Sequence, residues 1–197
     1  MLGRRNYRRF DEFTLSDPVF YSTGVNRWNC FFGVSSYGGN GGRHSTNYPQ
    51  TQTKDGIFFE KSHVRIAEVT DGTANTFLLG ERYHRDLEFD RITLGMQDGP
   101  ITTLDGPIAG LGVWAGTGPR QVTLSPPVPI NYQVPPSTAV GEQTTIVNRV
   151  CAYGSGHPGG ANFAFVDGSV RFLSDQTKLT TLQALSTRAG GEVVDVP

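Results

Sequence analysis

The clearest hydrophobic pattern lies near the C-terminal end, in "FAFVDGSVRF" at residues 163–172, where large and small apolar positions alternate before Asp167-Gly168 and apolar and polar positions alternate after it. Alternation with period two is the signature of a half-buried strand. Asp-Gly between two such runs signals a hairpin, because a tight two-residue turn needs positive φ at both central positions. With Asp167 and Gly168 as those positions, Val166 opposes Ser169, Phe165 opposes Val170 and Phe163 opposes Phe172. Phe163, Phe165, Val170 and Phe172 then share one apolar face. The following "SDQTKLTTLQALSTRAGG" carries Leu179, Leu182 and Leu185 at helical spacing. Ser174 or Asp175 is the candidate cap, Arg188 falls in the last turn, and Gly190-Gly191 stops the helix.

Upstream, "TFLLGE" (76–81) reads as a buried strand. "SHVRIAEVTDG" has room for a single helical turn, capped by Ser62 and stopped by Gly72. "CFFGVSSYGGNGG" (30–42) offers a short strand followed by a loop that Gly38, Gly39, Gly41 and Gly42 leave nearly unconstrained. Asp55-Gly56 marks a turn. Residues 95–148 show little regular pattern, and six of the twelve prolines lie between Pro119 and Pro136. That density excludes a central strand or helix and favours an extended loop or an edge. Residues 117–148 are therefore expected to be a Pro-rich surface excursion within one domain spanning 1–197.

Composition changes this picture little. A chain of 197 residues, 37% hydrophobic and 18% charged, supports one α+β domain with an antiparallel, β-rich core and long Gly/Pro-rich loops. A formal net charge of −1 argues against nucleic acid as partner. The basic run "RRNYRR" is short and terminal. No apolar run reaches the length of a membrane span, and no secretory signal pattern opens the chain. Cys30 and Cys151 could close a loop of about 120 residues in an oxidising compartment, worth roughly 4–5 kcal/mol in the chain-entropy model. Two buried thiols are the alternative.

The candidate chemistry is sparse. His44, His63, His84 and His157 are scattered and form no metal-ligand pair. "YGSGH" places Ser155 near His157, but Gly-Ser-Gly here leads into Pro158 and a strand, not from a strand into a helix. His157 and Asp167 bracket a strand roughly 17–20 Å long, so they are expected to play separate roles. His157 and Asn162 would fix the strand entry, and Gly168 the turn. Asp71 and Asn75 in "DGTANT" are weak calcium candidates, without the ligand spacing of an EF-hand. An Asx-type turn is the simpler reading, with both side chains bonding nearby backbone. Glu81 and Arg82 could pair internally or be solvated. No other cofactor is implied. Trp28, Tyr37, Tyr48, Trp114 and Tyr132 lie in or near Gly- and Pro-rich loops, where aromatics can bind a glycan or a protein, or can pin the loops to the core.

His157, nine residues, then Asp167-Gly168 resembles the motif of the prepilin-type processing-associated H-X9-DG proteins (domain of unknown function 1559). "VRIAEVTDGTANTFLLGER" (64–82), with Asp71, Gly72, Asn75 and Glu81, resembles the family's internal segment, and "LQALSTRAGGEVV" (182–194) its C-terminal tail. The resemblance implies a type IV pilin-like or pseudopilin-like head in the cell envelope or outside the cell. The implied role is non-enzymatic and structural, with protein partners in a pilin-like or type II secretion-like assembly. An extracellular binding module for glycan or another ligand is the alternative. Typical members begin with a leader and a long apolar helix. Met1 falls inside the expected head, so a truncated or divergent member is expected.

Overall fold

The computed structural model describes residues 7–10, 30–33, 35–45, 52–83, 86–94 and 122–192. β1 (Tyr7–Phe10) and β2 (Cys30–Gly33) form a separate antiparallel ladder. The main sheet has five strands: β3 (Tyr37–Asn40), β4 (Phe77–Glu81), β5 (Thr123–Leu124), β6 (Gly160–Phe165) and β7 (Val170–Ser174). Their spatial order is β5-β3-β4-β6-β7, antiparallel throughout except for the parallel β3–β5 pair. Among the described residues the helices that accompany it are α1 (Leu87–Leu94), α2 (Gln143–Cys151) and α3 (Leu179–Ser186). The α+β class is as expected.

The hairpin forms, but one residue out of the expected register. Ala164 opposes Val170, Asn162 opposes Phe172 and Ala161 opposes Leu173. The loop holds three residues, Val166-Asp167-Gly168. It is closed by the Phe165 N–H to the Ser169 carbonyl (2.9 Å) and by the Gly168 N–H to the Phe165 carbonyl (3.0 Å), with Gly168 at φ +87°. This is the three-residue loop in which the last position is left-handed. Moving from a two- to a three-residue loop shifts the pairing by one and turns β7 over. Phe163 and Phe165 are fully buried, whereas Val170 and Phe172 are 67% and 50% exposed. Leu173 takes the inward place assigned to Phe172, and Arg171 lies with its guanidinium 4.4 Å from the Phe165 ring.

Gly168 keeps its predicted importance under the new register. A Cβ there would meet nothing within 4 Å, so only backbone strain opposes substitution. Gly168→Val is expected to destabilise by about 1–2 kcal/mol, and Gly168→Asn by less, since asparagine tolerates the left-handed region. Thermal unfolding of the two variants beside the parent checks the order.

The glycine-rich stretch is not a loose loop. Gly38, Gly39 and Asn40 are buried in β3. A Cβ on Gly38 would come within 2.6 Å of the Leu124 side chain, and one on Gly39 within 2.6 Å of the Phe58 ring. These glycines permit close approach of neighbours. The Pro-rich segment supplies edge strand β5, as its prolines suggested. Its described part is less peripheral than an excursion: Leu124, Ile130, Val134 and Ile146 are all buried.

The larger core gathers Phe77, Leu124, Ile130, Tyr153, Phe163, Phe165, Leu173, Leu182 and Leu185 on one face of the sheet. Phe77 stacks on Phe163 with centroids 4.4 Å apart, and Tyr153 meets both rings edge-on. Leu182 and Leu185 of α3 cover this face as the leucine stripe required. Neither Ser174 nor Asp175 caps α3. The Ser174 hydroxyl accepts the Gln176 N–H in a separate turn, and Lys178 precedes the helix without a side-chain bond. Arg188 also lies beyond the helix end at Ser186. The Ser62 cap is replaced likewise: the short 3₁₀ turn Ile66–Glu68 starts at Arg65, whose N–H donates to Glu68.

A second cluster, Phe89, Ile92, Val134, Ile146 and Val150, joins α1 to α2. Asp86 holds it together. Its carboxylate accepts the Phe89 N–H at the start of α1 (3.0 Å), the Val134 N–H (3.0 Å) and the Arg149 Nε–H (2.8 Å). Arg149 also donates to the Tyr83 carbonyl, and both charged side chains are 3% exposed.

Candidate functional site

The polar residues of the 64–82, 157–168 and 182–194 segments are far apart in sequence, and the fold brings them together. Asp71 faces the stretch after α3. Its Oδ2 accepts the Gly190 N–H (2.6 Å) and the Thr187 hydroxyl (3.1 Å), while Oδ1 accepts the Gly191 N–H (2.8 Å). The Asp71 N–H in turn donates to the Arg188 carbonyl. Gly72, at φ +97°, makes the bend that leads into a 3₁₀ turn, Thr73–Asn75. This turn receives the hairpin tip: the Asp167 N–H donates to the Thr73 carbonyl (3.1 Å) and the Val166 N–H to that of Thr76 (3.0 Å).

At the other end of β6, Glu81 does the equivalent work. Its Oε2 accepts the Asn162 N–H (2.6 Å) and side-chain amide (3.2 Å), and its Oε1 lies 3.4 Å from His157 Nε2. Ser155 fixes the same corner from the backbone side. Its hydroxyl donates to the Gly160 carbonyl (2.6 Å) and accepts the His157 N–H (2.9 Å). Next to Glu81, the Arg82 guanidinium turns to the Thr123 carbonyl, and burial pushes its pKa down to about 10.

His157 and Asp167 therefore act apart, as strand length required. Asp167 accepts the Ser169 N–H and hydroxyl, which hold its carboxyl below the usual range. The Asx reading of "DGTANT" is half right. The Asn75 amide reaches the Asp71 carbonyl at 3.4 Å, a local contact, but the Asp71 carboxylate serves a partner more than a hundred residues away. Three N–H and O–H donors converge on that carboxylate, an environment suited to a satisfied anion and not to the oxygen cage of calcium. Among the described residues, no group of three or more His, Cys, Asp or Glu is placed to hold a metal.

The aromatic candidates separate. Tyr37 opens β3 and is 57% exposed, whereas Tyr132 is half-buried against the α1–α2 cluster. Trp28, Tyr48 and Trp114 lie outside the described residues. Cys151 is buried at the end of α2, and the side chain of Cys30 lies outside the described residues, so the disulfide stays an expectation.

Sequence reading missed the contributions of Thr187, Gly190 and Gly191 to the Asp71 contact, and those of Asn40, Asp86 and Arg149. Asn40 is fully buried, and its amide donates to the carbonyls of Phe77 (2.8 Å) and Ser186 (3.0 Å), tying β3 to β4 and α3. Only Asp86, one residue before an apolar-periodic run, carried a local signal as a helix cap.

These contacts predict unequal mutant effects at one corner. His157→Ala removes an exposed pairing and is expected to cost less than about 1 kcal/mol. Glu81→Ala leaves the Asn162 N–H without its acceptor and is expected to cost about 1–3 kcal/mol. Urea unfolding of both variants tests the order.

A family model described as "Protein of unknown function (DUF1559)" matches residues 16–180. The chain belongs to this family. The matched span includes Asp71, Glu81, His157 and Asp167-Gly168, and it ends before Gly190 and Gly191. No curated protein and no solved structure matches the chain. Among the described residues, no helix is long and apolar enough to cross a membrane.

Proposed function

We propose that the protein is a non-enzymatic structural or interaction component of an exported, pilin-like or secretion-associated assembly of the cell envelope. The supporting observation is that the fold itself engages the polar groups of the motif segments. Asp71 binds the stretch after α3, Glu81 binds Asn162 and His157, Asp167 binds its own turn, and Ser155 binds Gly160. Such residues stabilise a head and leave little side-chain capacity for a reaction. The H-X9-DG spacing and its resemblance to prepilin-type proteins favour the pilin-like setting. The binding-module reading draws less support, because Tyr132, one of its aromatic candidates, packs internally.

The test is localisation in the native host, with a tag at the C-terminus of the natural gene product. Protection from external protease in intact cells, with release as a free cytoplasmic species on lysis, would refute the proposal. Accessibility at the envelope, together with co-sedimentation in a large assembly, is the expected result.

A further inference from the structure

β7 is the outermost strand of its sheet among the described residues, and its geometry is self-complementary. In the β6–β7 ladder, Phe165 bonds the Ser169 carbonyl and the Asp175 N–H bonds the Gly159 carbonyl, so odd-numbered residues of β7 turn their backbone groups toward β6. The N–H and C=O groups of Val170, Phe172 and Ser174 consequently point away from β6, and of these the Ser174 carbonyl already accepts the Thr177 N–H (3.0 Å) in the turn after β7. Val170 and Phe172 are 67% and 50% exposed, an apolar edge of the kind that pairs with another strand.

We infer that β7 pairs antiparallel with β7 of a second copy of this chain, about a two-fold axis through Phe172, to join the two sheets into one. The outward groups lie symmetrically about Phe172. Val170 of each copy faces Ser174 of the other and Phe172 faces Phe172, so the six outward N–H groups meet carbonyls, the Ser174 carbonyl sharing its oxygen between the Val170 N–H of the other copy and its own Thr177 N–H. Charge neither favours nor opposes this register: Arg171 faces Leu173 of the other copy, with that copy's Asp175 on one diagonal and its Arg171 on the other. The two Phe172 rings meet on the exposed face, adding an aromatic cross-strand pair. This pairing does not depend on the envelope role proposed above.

Sedimentation of the purified chain over a concentration series tests the inference, with register-specific cross-linking as the second measurement. The parent is expected to move from monomer to dimer mass as concentration rises. Phe172→Lys and Val170→Lys should each remain monomeric while folded by circular dichroism. Under mild oxidation Phe172→Cys should yield a covalent dimer absent from the parent. Val170→Cys should not, because the two Val170 positions would lie about 13 Å apart along the strands. A parent that stays monomeric to its solubility limit overturns the inference. So does a dimer that survives both lysine variants, or one that cross-links through Val170→Cys as well as through Phe172→Cys.

Discussion

Asp86→Ala is expected to lower stability by about 3–5 kcal/mol, the cost of leaving a buried charge without its partner. Arg149 sits 3% exposed with its Nε on the Asp86 carboxylate, and its guanidinium lies 5.8 Å from the centroid of the Phe89 ring of the α1–α2 cluster. The same carboxylate caps α1 and holds the Val134 N–H, so one substitution strands three donors. Asp86→Asn keeps one oxygen where the Phe89 and Val134 amides use two different ones, so it should recover only part of the loss. Chemical denaturation reads both. A drop under about 1 kcal/mol for the alanine variant would mean that Arg149 finds water or another acceptor, contrary to its observed burial.

The second large effect is a contrast between two phenylalanines. Phe163→Ala is expected to cost about 3–5 kcal/mol, since it empties a fully buried site stacked on Phe77 and met edge-on by Tyr153. Phe172→Ala should cost about 1 kcal/mol in the monomer, because half of that side chain is exposed and the remainder covers Gly160. In the two-residue-turn register both rings would be inward and both losses large. Equal losses would therefore contradict the observed pairing.

That contrast marks the limit of what was legible in the chain. Asp167-Gly168 announced a hairpin by its turn chemistry, and the hairpin is there. Its register was not legible, because Phe172 and Leu173 are both apolar and adjacent. Either can face inward, and the choice rests on whether the loop holds two residues or three. β3 was hidden for another reason: glycines carry no pattern of their own, and Gly38 and Gly39 are explained only by the Leu124 and Phe58 side chains that approach them. α2 had a partial signal in the spacing of Ile146, Val147, Val150 and Cys151, obscured by β-branched residues with low helix propensity.

The candidate site was legible as residues but not as contacts. The H-X9-DG spacing pointed to His157, Asp167 and Gly168, and strand length correctly separated the first two. Nothing local connects Asp71 to Gly190 and Gly191, or Glu81 to Asn162. Those bonds exist because β4 and β6 are neighbours and because the chain after α3 returns across the start of the 3₁₀ turn Thr73–Asn75. Tertiary topology creates them, and single-sequence patterns do not record it.

These polar residues clasp the fold together. Amide hydrogen exchange at Gly190 and Gly191, in the parent and in Asp71→Asn and Asp71→Ala, reads the clasp at its own bonds. The expected result is protection of both amides in the parent and its loss in Asp71→Ala, with the β6 amides of Phe163 and Phe165 still protected. Asp71→Asn should fall between, since one carbonyl oxygen replaces two carboxylate oxygens. Free exchange of Gly190 and Gly191 in the parent, or unchanged protection in Asp71→Ala, would contradict the clasp.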